Sequence, residues 1–141
     1  MREFFDTSVL VPVFVKIHVH HVASLQLLAS ADPEHSACGA QTLAELYATI
    51  TALPLKPAIP PEQVMLFVEE LRSRLTVITL NEEEYLDTIR KTAEQRQISG
   101  KIYDALLLRC ALKSNAQTIY TWNVKHFQAV APELSDRIRT P

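Results

Sequence analysis

The chain has 141 residues, enough for one domain with a core of its own and no need of disulfides. With 48% apolar and 21% charged residues and no long polar tract, the composition excludes an intrinsically disordered protein. A formal net charge of -2 argues against a protein that coats nucleic acid by neutralising phosphates, yet it leaves a nuclease open, because an acidic centre and a local basic rim cancel in the sum.

The apolar opening from Phe4 to Val15 is broken by Asp6, lacks a basic leader and is too short to cross a bilayer, so neither export nor a membrane span is expected. Within it the pattern predicts a short strand near Arg2 to Asp6, then helical spacing through Val9 to Val15 and again through Val19 to Ala31. A second strand is expected at Ser36 to Gln41. Thr42 reads as the N-cap of a helix carrying Glu45, Leu46, Ile50 and Leu53, and Pro54 stops it. The proline-rich run from Leu53 to Pro61 reads as a loop between helices, since proline lacks the amide donor and restricts the residue before it.

Pro61 opens the next helix, with Val64, Phe67, Val68 and Leu71 at helical spacing. Thr76 to Leu80 is short and β-branched, hence a third strand. Asn81 with Glu84 makes a cap-like start for a long amphipathic helix ending near Gln97. After the Ser99-Gly100 break, Ile102 to Ser114 is almost wholly apolar and predicts a central helix. Thr118 to Thr121 is the fourth strand, and Arg137 to Arg139 a fifth. Strands alternating with helices predict an α/β fold, a parallel sheet of four to five strands covered on both faces, within a single domain over residues 1–141.

Four stretches place a carboxylate or its amide analogue where a strand ends or a helix begins: Phe4 to Leu10 with Asp6, Thr42 to Glu45, Lys101 to Leu107 with Asp104, and Thr121 to Phe127 with Asn123. In a parallel sheet ligands collect beyond the carboxyl ends of the strands, so these residues are expected to meet in one pocket. Carboxylates held together repel unless protonated or bridged by cations, and oxygen donors select hard ions, which points to Mg²⁺ or Mn²⁺. Such an ion supports hydrolysis of a phosphodiester. A phosphate-cradling loop is absent, because Gln95 stands where Gly100-Lys101 would require glycine, and no nucleophile elbow or dinucleotide fingerprint is present.

On these motifs, in this order and over nearly the whole chain, the sequence resembles the PIN-domain ribonucleases, in particular the VapC toxins of toxin–antitoxin pairs. The resemblance implies a three-layer α/β/α PIN-like nuclease domain in which Asp6, Glu45 and Asp104 bind Mg²⁺ or Mn²⁺ directly or through water. Asn123 stands where the family frequently has a fourth acid and completes the catalytic set. Thr7, Ser8 and Thr121 become candidates for orienting carboxylates or water, and Lys101, Arg109 and Lys125 for meeting RNA phosphates. It further implies an RNA substrate, a VapB-like antitoxin that blocks the acidic centre, and a homodimer.

Other readings stay beside this one. Asn123 favours the same fold as a catalytically weakened module that binds RNA or protein. Phosphoryl transfer from Asp6 lacks its second acid, since Ser8 occupies that place. His18, His20 and His21 read as an exposed helix start rather than a zinc site, Trp122 and Tyr103 as core anchors rather than base platforms, and His126 as a residue at the site or a cap of the turn before Phe127. Cys38 and Cys110 fit small core side chains in a reducing, cytoplasmic setting.

Overall fold

Phe4 and Phe5 are neighbours in the chain and both are fully buried. Successive side chains of a strand leave by opposite faces, so such a pair requires a sheet covered on both sides. In the computed structural model, which describes residues 1–141, the pair lies in β1 (Glu3–Phe5), the central strand of five. The others are β2 (Ser36–Gly39), β3 (Thr76–Ile78), β4 (Thr118–Tyr120) and β5 (Ile138–Arg139). Their order is β3-β2-β1-β4-β5 and every neighbouring pair is parallel. Phe5 aligns with Cys38 on one side and Tyr120 on the other, so the three inner strands finish level.

The alternation divides the interior into two cores. Phe5 and Cys38 join Leu10, Leu46, Ile50 and Leu71 beneath α1 (Thr7–Leu10), α2 (His21–Ala29), α3 (Ala40–Ala52) and α4 (Pro61–Arg74). Phe4 and Ala37 join Leu107, Ile119 and Phe127 beneath α6 (Lys101–Lys113) and α7 (Val124–Val130), with α5 (Glu82–Glu94) packed against α6. The result is the expected α/β/α layering, with the full five strands. No helix is long and apolar enough to cross a membrane.

Several local expectations match the chain. Asn81 and Glu84 form a reciprocal capping box at the start of α5, Pro61 is the first residue of α4, and α3 ends at Ala52 before Pro54. Others are corrected. Thr42 is not an N-cap: β2 passes directly into α3 at Gly39, so Thr42 lies inside the helix and is fully buried. The helical run predicted from Val9 is broken, because α1 stops at Leu10 and tightens into a 3₁₀ turn, Val11–Phe14, around Pro12. α2 begins only at His21, which leaves His18 and His20 in the preceding turn. Residues Val124–Val130 form a helix where only a turn before Phe127 was expected.

The direction of α6 decides where Asp104 lies. Ser114, which follows the C-terminal end of α6, accepts a hydrogen bond from the Met1 ammonium at 3.1 Å, at the edge where the strands begin. The N-terminus of α6, with Asp104 in its first turn, therefore lies at the edge where the strands end.

Candidate active site

Asp6 follows the last residue of β1 and caps α1, so the strand delivers its carboxylate to the carboxyl edge of the sheet. It is 3% exposed. Its Oδ2 accepts from the Ser8 hydroxyl at 2.7 Å, the Thr121 hydroxyl at 2.9 Å and the Ser8 amide at 3.3 Å. Both hydroxyls are oriented in turn, because Ser8 Oγ accepts from the Trp122 amide and Thr121 Oγ1 from the Asn123 amide, each at 2.9 Å. All these donors crowd one oxygen, leaving Oδ1 without a protein partner.

Glu45 repeats the arrangement. Its Oε1 accepts from Thr7 Oγ1 at 3.1 Å and Gln41 Nε2 at 3.0 Å, while Oε2 stays free. Since the Thr7 proton is committed to Glu45, the 2.9 Å contact between Thr7 and Thr42 is a bond donated by Thr42, which gives that buried threonine its role. Asp104 receives no protein hydrogen bond at all. Asp6, Glu45, Asp104 and Asn123 line one cleft of about 440 Å³. Asn123 is exposed there, and its side chain makes no cap at the start of α7.

Burial raises the pKa of Asp6 even though its nearest donors favour the anion, so desolvation outweighs them. Glu45 is raised for the same first reason, with Asp6 adding to it. Asp104 is pushed up to about 6, first by burial, then by the charge of Asp6, with His126 opposing and Glu45 adding. The cleft thus calls for more positive charge than the protein supplies. A tighter trio exists elsewhere: Asp32, Glu34 and His35 bring one ligand atom each within 4.8 Å of one another. That trio sits in the turn before β2, at the opposite edge of the sheet, and the cleft acids stand further apart than it does. The two thiols offer no nucleophile, as burial pushes Cys38 up to about 12 and Cys110 up to about 11.

The PIN domain family profile matches residues 4–131, the stretch that holds all four cleft residues. The chain belongs to the PIN domain family. Among curated proteins this PIN domain is 30% identical over 112 residues to Ribonuclease VapC27 of Mycobacterium tuberculosis (strain ATCC 25618 / H37Rv), covering 79% of this chain and 78% of the relative. Its fold is similar to that of the crystal structure of the sarcin-ricin loop cleaving toxin VapC20 of M. tuberculosis, with a TM-score of 0.70, 16% identity and 90% and 94% of the two chains covered. It also resembles a chain of the Rickettsia felis VapBC2 complex bound to promoter DNA, with a TM-score of 0.67, 22% identity and 100% and 99% coverage. For VapBC-1 of nontypeable Haemophilus influenzae the values are 0.65, 23%, 99% and 98%.

The remaining candidates divide. Thr7 and Ser8 line the cleft of the PIN domain, and Thr121 is buried behind Asp6. Lys101 lines a second hollow of about 710 Å³ with His126, and Asp104 belongs to both hollows. Lys125 is exposed on α7 without lining either one. Arg109 is turned toward α5, where its Nη2 lies 4.0 Å from Glu84, so its charge faces an acid and not the cleft. Tyr103 is 58% exposed, contrary to the core role expected. Trp122, also expected as a core anchor, is instead half-buried on the cleft wall, with His18 and His20 beside it. Gln41 was missed, although its place four residues before Glu45 on one helix was the readable signal.

Proposed function

We propose that residues 1–141 act as a single PIN-like nuclease domain that hydrolyses RNA phosphodiester bonds with Mg²⁺ or Mn²⁺, as the toxin of a VapBC-type pair. The observation that carries this reading is the set of acids in one cleft, with the side-chain hydrogen bonds of Asp6 and Glu45 gathered on one oxygen of each and none on Asp104. An all-oxygen donor set suits a hard dication, and Asp6, Glu45 and Asp104 would hold it. A Mg²⁺ ion held there would keep several waters, through which it could reach some of these carboxylates. Bound there, the ion supplies acidity to a water and screens charge on the phosphoryl oxygens.

The chain's own residues do the rest. Ser8 and Thr121 hold Asp6 Oδ2, and Thr7 and Gln41 hold Glu45 Oε1, so each acid presents its other oxygen in a fixed direction. Asn123 contributes a neutral amide to the wall, which keeps the total negative charge facing a phosphate lower than a fourth acid would. Lys101 places a cation in the adjoining hollow, on the path an RNA backbone takes past Asp104. Similarity to a ribonuclease and to chains of VapBC complexes supports RNA as substrate and a VapB-like antitoxin as partner. A homodimer and a cytoplasmic location complete the proposal.

The test is incubation of a mixed RNA pool with Mn²⁺ or Mg²⁺, with chelator, and with Asp6→Asn. Cutting should require the metal and vanish in the variant; cutting that survives both disproves the reading. A binding module with weakened catalysis is the second reading, favoured by Asn123, and strong cleavage gained only on Asn123→Asp supports it.

A further inference from the structure

The turn before α2 is built against the usual logic of burial. Ile17 and Val19 are 80% and 85% exposed, whereas the histidines between and after them face the cleft. A turn held by the hydrophobic effect would do the reverse. Backbone hydrogen bonds from the His18 amide to Val15 at 2.9 Å and from the His21 amide to His18 at 3.0 Å hold this one, together with ring contact. His20 lies flat on Trp122, with ring centroids 3.6 Å apart and planes 7° from parallel, and the His18 ring lies 5.6 Å from His20, tilted by 39°. The neighbouring His21 pins the turn from behind, with its Nδ1 2.8 Å from the Pro12 carbonyl oxygen.

The wall is positioned by the same atoms that position the acid. Trp122 donates through Nε1 to the fully buried Ser24 hydroxyl at 3.1 Å, and through its backbone amide to the Ser8 hydroxyl that holds Asp6. The His20 amide donates to His18 Nδ1 at 3.1 Å, which orients that ring. Three aromatic rings therefore line a cleft otherwise made largely of acids and hydroxyls. The two imidazoles can donate through ring nitrogens to a phosphate, but what a flat ring wall offers beyond that is a face on which any nucleobase stacks.

Resting on the hydrolase reading, we propose that the face of the His20 ring turned away from Trp122, backed by Trp122 and with His18 beside it, forms a nucleobase subsite that stacks a base of a single-stranded segment and thereby sets its phosphate against the acids. The subsite reads stacking rather than base edges, so it selects unpaired nucleotides over a duplex without fixing a sequence. His20 is a positioning residue. Its ring makes no hydrogen bond, so His20→Phe keeps the ring contact with Trp122 and removes only the nitrogens.

Trp122 is the single tryptophan of the chain, and its fluorescence reports on the subsite directly. The protein is titrated in Ca²⁺ with a labelled single-stranded hexaribonucleotide, checked intact on a gel, and with an abasic strand of equal phosphate count; cleavage in Mn²⁺ is measured separately. The base-bearing strand should quench Trp122 and the abasic strand should not. His20→Ala should lose about 5- to 150-fold in affinity for the base-bearing strand alone, the range carried by one stacked base, and His20→Phe should recover it. Equal quenching by both strands, or unchanged affinity in His20→Ala, overturns the subsite. Cutting in Mn²⁺ that is indifferent to His20 removes the subsite and keeps the nuclease. Quenching that depends on His20 without cutting keeps the subsite and removes the nuclease; failure to bind either strand removes both.

Discussion

The two edges of the sheet each gather acids, and they treat them in opposite ways. In the turn before β2, the Asp32 carboxylate accepts from the Glu34 amide at 2.9 Å, the His35 amide at 3.1 Å and the His35 ring at 3.0 Å. Its pKa is lowered, chiefly by the His35 ring, and its needs are met locally. At the other edge Asp6, Glu45 and Asp104 are desolvated, raised in pKa and left with free oxygens. Closeness of acids is therefore a poor guide to a site, since the closest trio is a satisfied turn. Carboxylates that the fold buries without satisfying are the better guide.

Substitution should separate the two edges most strongly. Asp104→Asn should abolish metal-dependent RNA cutting, while Asp32→Asn should leave the rate within about twofold, as expected of a surface change. Loss of cutting in Asp32→Asn would reverse the assignment of the two edges. Next come the hydroxyls that aim Asp6. Thr121→Ala should weaken Mn²⁺ binding by about 10- to 100-fold, the usual cost of losing a group that orients a ligand, and His35→Ala should not change it; isothermal titration of both variants decides.

The two edges should also respond oppositely to pH. Asp104 has a folded pKa of about 6 against an ordinary value of 3.8, so the native state holds its proton longer than the unfolded chain does. Without metal, stability should therefore fall as pH rises from about 4 to about 7 through this residue. Asp32, whose folded pKa is lowered, contributes stability that is present above its unfolded pKa and lost as pH falls. Thermal melts in chelator should show Asp104→Asn more stable than the parent near neutrality, and Mg²⁺ stabilising only the parent. The smallest expected effect lies outside both edges: Asn81→Ala removes the cap of α5 and should cost about 1 kcal/mol in urea unfolding without touching cleavage.

What could be read in the chain was what depends on neighbours. Proline at position 61, the Asn81 and Glu84 pair and the β-branched Thr76-Val77-Ile78 run act within a turn or two, and the structure places elements where they point. The parallel sheet follows from alternation and the four acidic stretches from their positions at element ends. Thr42 misled because a short polar residue near a helix start usually caps it, and here the helix had already begun at Ala40. α7 escaped because seven residues fold only against a core already formed around Phe127. The clamp on Asp6 and the anchor of Trp122 lie outside any local pattern for a related reason: their partners are 115 and 98 residues away, for Thr121 on Asp6 and Trp122 on Ser24. The resemblance marked Thr7, Ser8 and Thr121 as candidates for orienting carboxylates, but not which acid each would hold.

The separation of Asp6 from Thr121 has a consequence for the moment of synthesis. A growing polypeptide emerges amino end first, so Asp6 leaves the ribosome 115 residues before the hydroxyl that steadies it. A product stopped before residue 118 also lacks β4, the strand against which β1 would align on that side. The clamp on Asp6 can therefore close only after β4 and Thr121 have been made.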